Sequence, residues 1–271
     1  MPASERADLE QALEYLAEDG FVVTSREVSL NGPWRIEIFG EGGRPEIDGS
    51  WMWEDLPEKD WVAENQRSFH PFQVGPFWVH PSHVRDGMPA GLLPIEIDAG
   101  MAFGTGTHAT TRGCLEMLAT LDPAEAVKAV DVGCGSGILA IAMAKLWQQP
   151  ILGGDNDEQA VDVAVENAEL NGVAPLCRFV TSLGLSAPEL AQGAPYDLIV
   201  ANILAGPLIE LSETFAPAVR PGGHVLLSGL LIEQAAMVLS AYENRGFVFE
   251  RRVDLETGGA WWRTLVLRKA P

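Results

Sequence analysis

From about residue 108 onwards, short apolar runs alternate with segments whose apolar residues recur at helical spacing. The apolar runs predict seven strands, and the helical spacing predicts five helices with a weaker sixth. The predicted strands are 127–132, 150–155, 176–181, 196–201, 223–228, 246–252 and 261–268. The predicted helices are 108–120, 137–147, 158–171, 205–217 and 232–243, with the weaker one at 186–192. This alternation is typical of an α/β fold with a doubly wound parallel sheet.

Two details of the pattern define the sheet further. Continuous apolar runs such as Leu198–Ala201 and His224–Leu227 are typical of parallel strands that are covered on both faces. The last two predicted strands are joined by the short loop Asp254–Ala260, and a parallel crossover needs a dozen or more residues, so we expect that pair to be antiparallel. A parallel sheet completed by an antiparallel strand resembles the Rossmann-like fold of S-adenosylmethionine (SAM) methyltransferases.

The beginning of the chain has a different pattern, which predicts a small α+β module. A helix over 5–18 is followed by strands over 21–30 and 33–39, with an Asn31–Gly32 turn between them. A connecting helix over 59–69 would end before His70–Pro71. We therefore expect a small domain over 1–58, a linker helix over 59–70 and a larger domain over 71–271.

The chain is strongly acidic, and the acidity is concentrated near its beginning. It contains 38 acidic and 18 basic side chains, for a formal net charge of −20. This balance argues against direct binding to nucleic acid or an anionic membrane, which require an excess of Lys and Arg. Residues 1–70 hold 16 acidic and 6 basic side chains, half of the net charge. That segment is either a surface for a basic protein partner or a solubilising surface.

Cysteine usage and hydropathy indicate where the protein works. The three cysteines, Cys114, Cys134 and Cys177, lack C-x-x-C spacing and cannot all pair, which favours a reducing compartment. No apolar run resembles a signal peptide or approaches the roughly 18 residues that a membrane span needs. We expect a soluble cytoplasmic protein, and a monomer.

A glycine-rich turn between a predicted strand and a predicted helix is the strongest chemical signal. Asp131 is followed by glycines at 133, 135 and 137, the spacing G-x-G-x-G. A dinucleotide site would require G-x-G-x-x-G, and position 138 is Ile. The spacing favours a SAM site, in which backbone at Gly133 and Gly135 approaches the cofactor; a glycine turn with no ligand is the alternative.

Two polar residues lie where predicted strands end. Asp155 closes the second strand, 22 residues after Gly133, where a carboxylate can accept both ribose hydroxyls. Asp157 is the rival for that role, although its position better suits a helix cap. Asn202 closes the fourth strand, where its oxygen can accept a hydrogen bond from a target amine; the alternative is a helix N-cap. The residues that follow Asn202 lack an aromatic ring, which makes a flipped nucleobase a poor substrate.

A second unusual segment, 100–112, is a loop of small residues that runs into a predicted helix carrying His108, Thr110 and Thr111 in its first turn. Such a loop can close over a cofactor, or it can simply cap the helix. Three further histidines, His70, His80 and His83, flank prolines without the spacing of metal ligands, and we expect no metal site.

Together these segments resemble the bacterial ribosomal protein L11 methyltransferase family. The resemblance lies in residues 60–71, 102–111, 131–142, 166–172 and 200–208. It implies a ferredoxin-like N-terminal domain that recognises the substrate, a helical linker and a SAM-dependent catalytic domain. It also implies methylation of the N-terminal amine and lysine amines of ribosomal protein L11.

By matching position, the resemblance implies that Thr111, Gly133, Asp155 and Asn202 contact SAM. We expect Asn202 to position the amine as well. Two other functions remain open: a methyltransferase that acts on another protein or a small amine, and a non-catalytic SAM-binding partner of a ribosome assembly complex. The glycine turn together with Asp155 and Asn202 favours an active enzyme.

Overall fold

The computed structural model describes residues 22–27, 34–40, 45, 47, 51–52, 70–84, 87–98, 108–122 and 127–271. Backbone contacts divide the chain into two compact units, Met1–Lys59 and Asp60–Pro271. In the first unit, β1 (Val22–Glu27) and β2 (Trp34–Phe39) pair antiparallel, as the sequence predicts. The predicted helix over 5–18, the turn at Asn31–Gly32 and the linker helix over 59–69 lie outside the described residues. The ferredoxin-like domain and the boundaries at 58 and 70 therefore stay predictions.

The second unit contains a small sheet that the sequence did not predict. Its strands are β3 (Phe72–Val74), β4 (Phe77–His80) and β5 (Leu93–Glu96). The first pair is antiparallel and the second is parallel. Each strand has only three or four residues, too few for a clear alternation of apolar and polar positions. Their buried side chains nevertheless join the core that the main sheet and its helices form.

All seven strands predicted for the main sheet are present. They are β6 (Ala129–Val132), β7 (Ile151–Asp155), β8 (Cys177–Thr181), β9 (Tyr196–Asn202), β10 (Val219–Leu231), β11 (Phe247–Thr257) and β12 (Ala260–Lys269). They lie in the order β11-β12-β10-β9-β6-β7-β8. The pairs from β10 to β8 are parallel, and β12 is antiparallel to both of its neighbours. The predicted antiparallel final pair is confirmed.

The helices cover both faces of this sheet. They are α1 (Ala109–Leu118), α2 (Ile138–Trp147), α3 (Glu158–Leu170), α4 (Pro188–Gly193), α5 (Ala205–Ala218) and α6 (Ala235–Glu243), with a 3₁₀ turn at Ile232–Gln234. Alternate residues of each strand belong to opposite cores: Leu198 and Val200 pack with α1, α2 and α3, whereas Ile199 and Ala201 pack with α4, α5 and α6. The continuous apolar runs of the sequence arise from this double coverage.

The order of the strands determines where a ligand fits. Strand β6 has β7 on one side and β9 on the other, so the chain reverses its direction of progress across the sheet at this point. In open α/β sheets, the crevice for a ligand forms at the carboxyl ends of the strands beside such a reversal. The glycine turn follows β6, and Asn202 ends β9. No helix in the described residues is long and apolar enough to cross a membrane.

Candidate active site

The turn after β6 adopts a backbone that only glycine accommodates readily. Gly133, Gly135 and Gly137 have φ angles of 72°, 50° and 78°, all in the left-handed region. The backbone N–H groups of Gly133 and Cys134 both donate to the carbonyl of Gly154, at 2.8 and 3.1 Å. The three alternating glycines thus form a tight turn that is fixed to the neighbouring strand β7.

This turn lies directly against the chain that leaves β9. A Cβ atom added at Gly133 would collide with Cγ2 of Ile203, the residue after Asn202. Two segments that are about 70 residues apart in sequence are therefore in contact. The contact brings together the glycine turn and the end of β9, the two places that the site residues implied by the resemblance include.

Asp155 also contacts the glycine turn. One carboxylate oxygen, Oδ2, accepts the N–H of Gly135 at 2.8 Å, and Oδ1 accepts the N–H of Asp157 at 3.1 Å. A carboxylate has about four acceptor positions, so capacity remains for two ribose hydroxyls. Asp157 caps α3 through a bond from the N–H of Gln159 at 2.9 Å. That capping role, which the sequence suggested for Asp157, is confirmed.

Asn202 is bonded to α1, not to the helix that follows it. Its Nδ2 donates to Oγ1 of Thr111 at 3.3 Å, and Thr111 is fully buried. Helix α5 begins at Ala205 with Leu204 as its N-cap, so the alternative role of Asn202 as the helix cap is wrong. The Oδ1 atom of Asn202 is buried and has no partner among the described residues. A buried acceptor in that state costs about 1–3 kcal/mol, and a ligand that donates to it would recover this free energy.

The first turn of α1 is fixed by His108. Its Nδ1 accepts the N–H of Thr110 at 3.4 Å and lies 2.9 Å from Oγ1 of the same residue. Burial lowers the pKa of His108, which favours the neutral ring that this cap requires. The ring packs edge-on against Trp262 of β12, with 4.7 Å between the centroids. Residues 100–107 of the predicted loop lie outside the described residues, so its closure over a cofactor stays a prediction.

The sequence drew attention to Asp131 only as the residue that precedes the turn, and the structure gives it a role. Its Oδ2 accepts the N–H of Ala140 in the first turn of α2 at 3.1 Å. The N-cap of α2 is Gly137, which has no side chain, so this carboxylate supplies the missing cap from the neighbouring strand. Asp131 is 1% exposed, and burial raises its pKa to about 7, with a further contribution from Asp155.

The segment 166–172, which carried part of the resemblance, has a structural role at this site. Asn167 on α3 donates to the carbonyl of Ser136 in the glycine turn at 2.8 Å. Asn171 bonds both the N–H and the carbonyl of Glu96 on β5, at 2.9 and 2.7 Å. The two asparagines therefore hold α3 against the turn on one side and against the small sheet on the other.

The histidines give no support to a metal centre in the part of the chain that the structure describes. No group of three or more His, Cys, Asp or Glu side chains in it could hold a metal ion. The Nδ1 atom of His80 lies 3.0 Å from the carbonyl oxygen of Pro81.

Comparison with known proteins gives a consistent result. Residues 41–269 match the profile of the family "Ribosomal protein L11 methyltransferase (PrmA)". The ribosomal protein L11 methyltransferase of Brucella abortus (strain S19) is 41% identical over 259 residues, which cover 92% of this chain and 90% of that protein. The protein of the same name from Rhodopseudomonas palustris (strain BisB5) is 46% identical over 217 residues, 80% of this chain and 72% of that protein.

A solved structure shares the fold. The crystal structure of a ribosomal protein L11 methylase from Lactobacillus delbrueckii subsp. bulgaricus matches with a TM-score of 0.62 and 29% identity. The match covers 74% of this chain and 100% of that chain.

Proposed function

The chain belongs to the ribosomal protein L11 methyltransferase family, and from that membership we propose that it methylates the N-terminal amine and lysine amines of ribosomal protein L11 with SAM as methyl donor. The observation that carries the proposal is the buried Oδ1 of Asn202. This acceptor has no partner in the described residues, lies at the carboxyl end of β9 and belongs to a side chain whose Nδ2 donates to Thr111. The reaction would take place in the cytoplasm, where ribosomal proteins are made.

The described residues fit SAM as the cofactor. Asp155 keeps acceptor capacity for ribose hydroxyls, and the turn at Gly133 and Gly135 lets the backbone approach the ligand. Thr111 and Asn202, which are hydrogen-bonded to each other, are the other two residues that the resemblance implies contact SAM. When bound, SAM supplies a methyl group on a positively charged sulfur, which a nucleophile displaces in line.

The chain's contribution to this chemistry is mainly to position the amine. A target amine that donates one N–H to Oδ1 of Asn202 has its lone pair held in a fixed direction. The amine must be neutral to attack. A free lysine has a pKa near 10.4 and an α-amine near 8, so the N-terminal amine loses its proton more easily. We propose that Asn202 aims the amine and that no side chain is an indispensable general base.

A cleft beside α1 suits a basic polypeptide. It has a volume of about 590 Å³ and lies between the first two turns of α1, the turn after β3 and the end of β11. Glu116 and Glu256 line it, together with Arg112, whose guanidinium lies over the ring of Phe72. The two carboxylates can attract lysine side chains of a substrate.

Intact mass spectrometry tests the substrate and the sites together. Purified enzyme is incubated with SAM and purified L11, or with other basic ribosomal proteins, and the modified positions are mapped in peptides. We expect mass increments of one methyl group, about 14 Da, on L11 alone, located at its N-terminal amine and at lysines. Label on several proteins, or on small amines but not on L11, would reject the proposed substrate.

Asn202→Ala tests the role of the amide. We expect kcat for L11 to fall by about 10²-fold, a loss typical of removing one oriented hydrogen-bonding group from an active site. Asn244→Ala, at the exposed end of α6, is the matched control and should leave kcat unchanged. Full turnover of Asn202→Ala with normal SAM affinity would show that Asn202 does not position the amine.

A further inference from the structure

Ser228 lies beside Asn202 in the sheet, although nothing in the sequence singled it out. The two residues are partners in the parallel pairing of β10 with β9. Ser228 is fully buried. The next residue, Gly229, has a φ of 88°, and a Cβ atom added there would collide with the backbone carbonyl of Ile203. At this point β10 is therefore in close contact with the chain that carries Asn202.

The hydroxyl of Ser228 is part of a directed chain of hydrogen bonds. Its Oγ lies 3.1 Å from the carbonyl oxygen of Thr110, to which it can only donate, and 2.8 Å from Oγ1 of Thr264. Because Ser228 has one hydroxyl proton, the hydroxyl of Thr264 must donate to Ser228. The chain therefore runs from Thr264 on β12 through Ser228 on β10 to Thr110 in the first turn of α1.

The packing of α1 against β12 is equally close. A Cβ atom added at Gly113, one turn along α1 from Thr110, would collide with Oγ1 of Thr264. Helix α1 thus approaches Thr264 to a distance that only glycine permits at this position. The packing fixes the second turn of the helix, and the hydrogen bonds fix the first turn.

That turn also carries Thr111, whose hydroxyl accepts the Nδ2 proton of Asn202. The Asn202 side chain is held by this bond from Nδ2 to Thr111. When Thr111 is fixed, the bond therefore sets where the Oδ1 atom of Asn202 lies. The orientation of the Asn202 amide thus depends on where the first turn of α1 lies.

We propose that Ser228, held by Thr264, is a positioning residue for methyl transfer. It fixes the first turn of α1 so that Thr111 holds the Asn202 amide with its acceptor toward the amine of the substrate. The proposal rests on the methyltransferase function for its kinetic consequence, but the orientation of Asn202 itself can be measured without any substrate.

The kinetic test uses Ser228→Ala, which removes the hydroxyl without adding volume. We expect kcat to fall by about tenfold, the kinetic equivalent of losing one neutral hydrogen bond, with KM for L11 and Kd for SAM within about twofold of wild type. Ser212→Ala is the matched control: Ser212 is equally buried, but among the described residues its hydroxyl bonds only the carbonyl of Ile209 within α5. It should leave kcat within about twofold.

A double-mutant cycle separates positioning from a general loss of structure. If Ser228 acts through Asn202, Ser228→Ala causes no further loss of kcat in the Asn202→Ala background. An additive loss in the double variant would overturn the proposal, as would full kcat in Ser228→Ala or an effect confined to SAM affinity.

A second measurement needs no turnover. The side-chain amide resonance of Asn202 in ¹⁵N spectra of the ligand-free protein, assigned with Asn202→Ala, should shift and exchange faster with solvent in Ser228→Ala, and should be unchanged in Ser212→Ala. An Asn202 resonance that Ser228→Ala leaves unmoved would overturn the proposal. If the wild-type enzyme fails to methylate L11, the proposed substrate is wrong, while this spectrum still decides the role of Ser228.

Discussion

Asn202 and Asp131 each have one polar atom bonded within the chain and one buried oxygen without a partner among the described residues. A buried oxygen in that state costs free energy unless a ligand or a proton satisfies it. For the neutral amide of Asn202 the missing partner must come from outside the side chain. For Asp131 the cost of the buried oxygen can also be removed by protonation, because the carboxyl group can bind a proton itself.

Burial raises the pKa of Asp131 to about 7, whereas the ordinary value is 3.8. Between these two values the folded protein binds a proton that the unfolded chain does not, so this group makes folding more favourable as the pH falls from about 7 to about 4. Above pH 7 the ionised carboxylate is buried and destabilises the fold. The change in stability with pH is therefore opposite in sign to that of a carboxylate in a salt bridge, which stabilises the fold as the pH rises.

Asp131→Asn should remove this dependence. In urea unfolding of the cofactor-free protein, we expect the variant to be most stable relative to wild type at pH 8.5. The free energy of unfolding of the variant minus that of wild type should fall by about 2 kcal/mol between pH 8.5 and pH 5.5, because at pH 5.5 Asp131 is protonated in the folded state. Asp157→Asn is the control, since Asp157 is exposed and asparagine caps a helix equally well. A difference for Asp131→Asn that stays constant between the two pH values would contradict this account.

Spacing along the chain was enough to predict some candidate site residues but not others. Gly133 and Asp155 stand at fixed distances from a predicted strand, and Asn202 stands at the end of one, so local pattern and fold class locate them. Ser228 and Thr264 belong to no local pattern. They meet only because β12 lies between β10 and β11 and because the register sets Ser228 beside Asn202. Such information is created by long-range pairing and is absent from any short segment.

The bounds of the strands were predicted accurately where the local pattern is continuous and less accurately where it is interrupted. Strands buried on both faces, such as β9, were predicted almost to the residue because their central positions, here Leu198–Ala201, form a continuous apolar run. Strand β10 runs from Val219 to Leu231, well beyond the predicted 223–228, because its first residues include Pro221 and two glycines that argue against a strand. The observed pairing shows a register shift between Val219 and His224, where this glycine-rich stretch lies.

The glycine turn gives a prediction about one element. Gly133→Ala places a Cβ both at a left-handed φ and against Ile203, so we expect a loss of stability together with a loss of SAM affinity. Gly172→Ala is the matched control. Its φ is 69°, but a Cβ there meets nothing within 4 Å, so only the backbone strain of about 1–2 kcal/mol should appear. Chemical unfolding and calorimetric titration with SAM measure the two effects.

A second substitution separates the steric collision from the strain. Ile203→Ala removes the methyl group that the new Cβ meets, so the double variant Gly133→Ala with Ile203→Ala should bind SAM better than Gly133→Ala alone. If Gly133→Ala bound SAM as tightly as Gly172→Ala does, the close contact between the turn and the end of β9 would have no part in cofactor binding.

At the scale of the whole molecule, charge is the dominant property. The net charge is −20, and residues 1–70 contribute half of it. Electrostatic attraction to a basic substrate acts over about 10 Å at 0.1 M salt and shortens as salt increases, whereas contacts inside a closed cofactor site are screened much less. We therefore expect KM for L11 to rise several-fold between 50 and 300 mM KCl while the Kd for SAM changes by less than about twofold.

Steady-state kinetics with L11 and calorimetry with SAM give these two quantities. Sucrose at matched osmolality is the control for effects of the solute itself, and it should leave both constants unchanged. Equal salt dependence of KM and of the Kd for SAM would mean that the acidic surface only keeps the protein soluble.

The position of β12 inside the sheet has a consequence for biosynthesis. Strand β12 is the last strand of the sheet to leave the ribosome, yet it lies between β10 and β11, and it carries Thr264. Until it has been made, the nascent chain exposes the unpaired backbone N–H and C=O groups at the edge of β10, which are prone to pairing with other chains. Ser228 also lacks its donor until then, so the sheet and the proposed support of Asn202 are completed by the same strand.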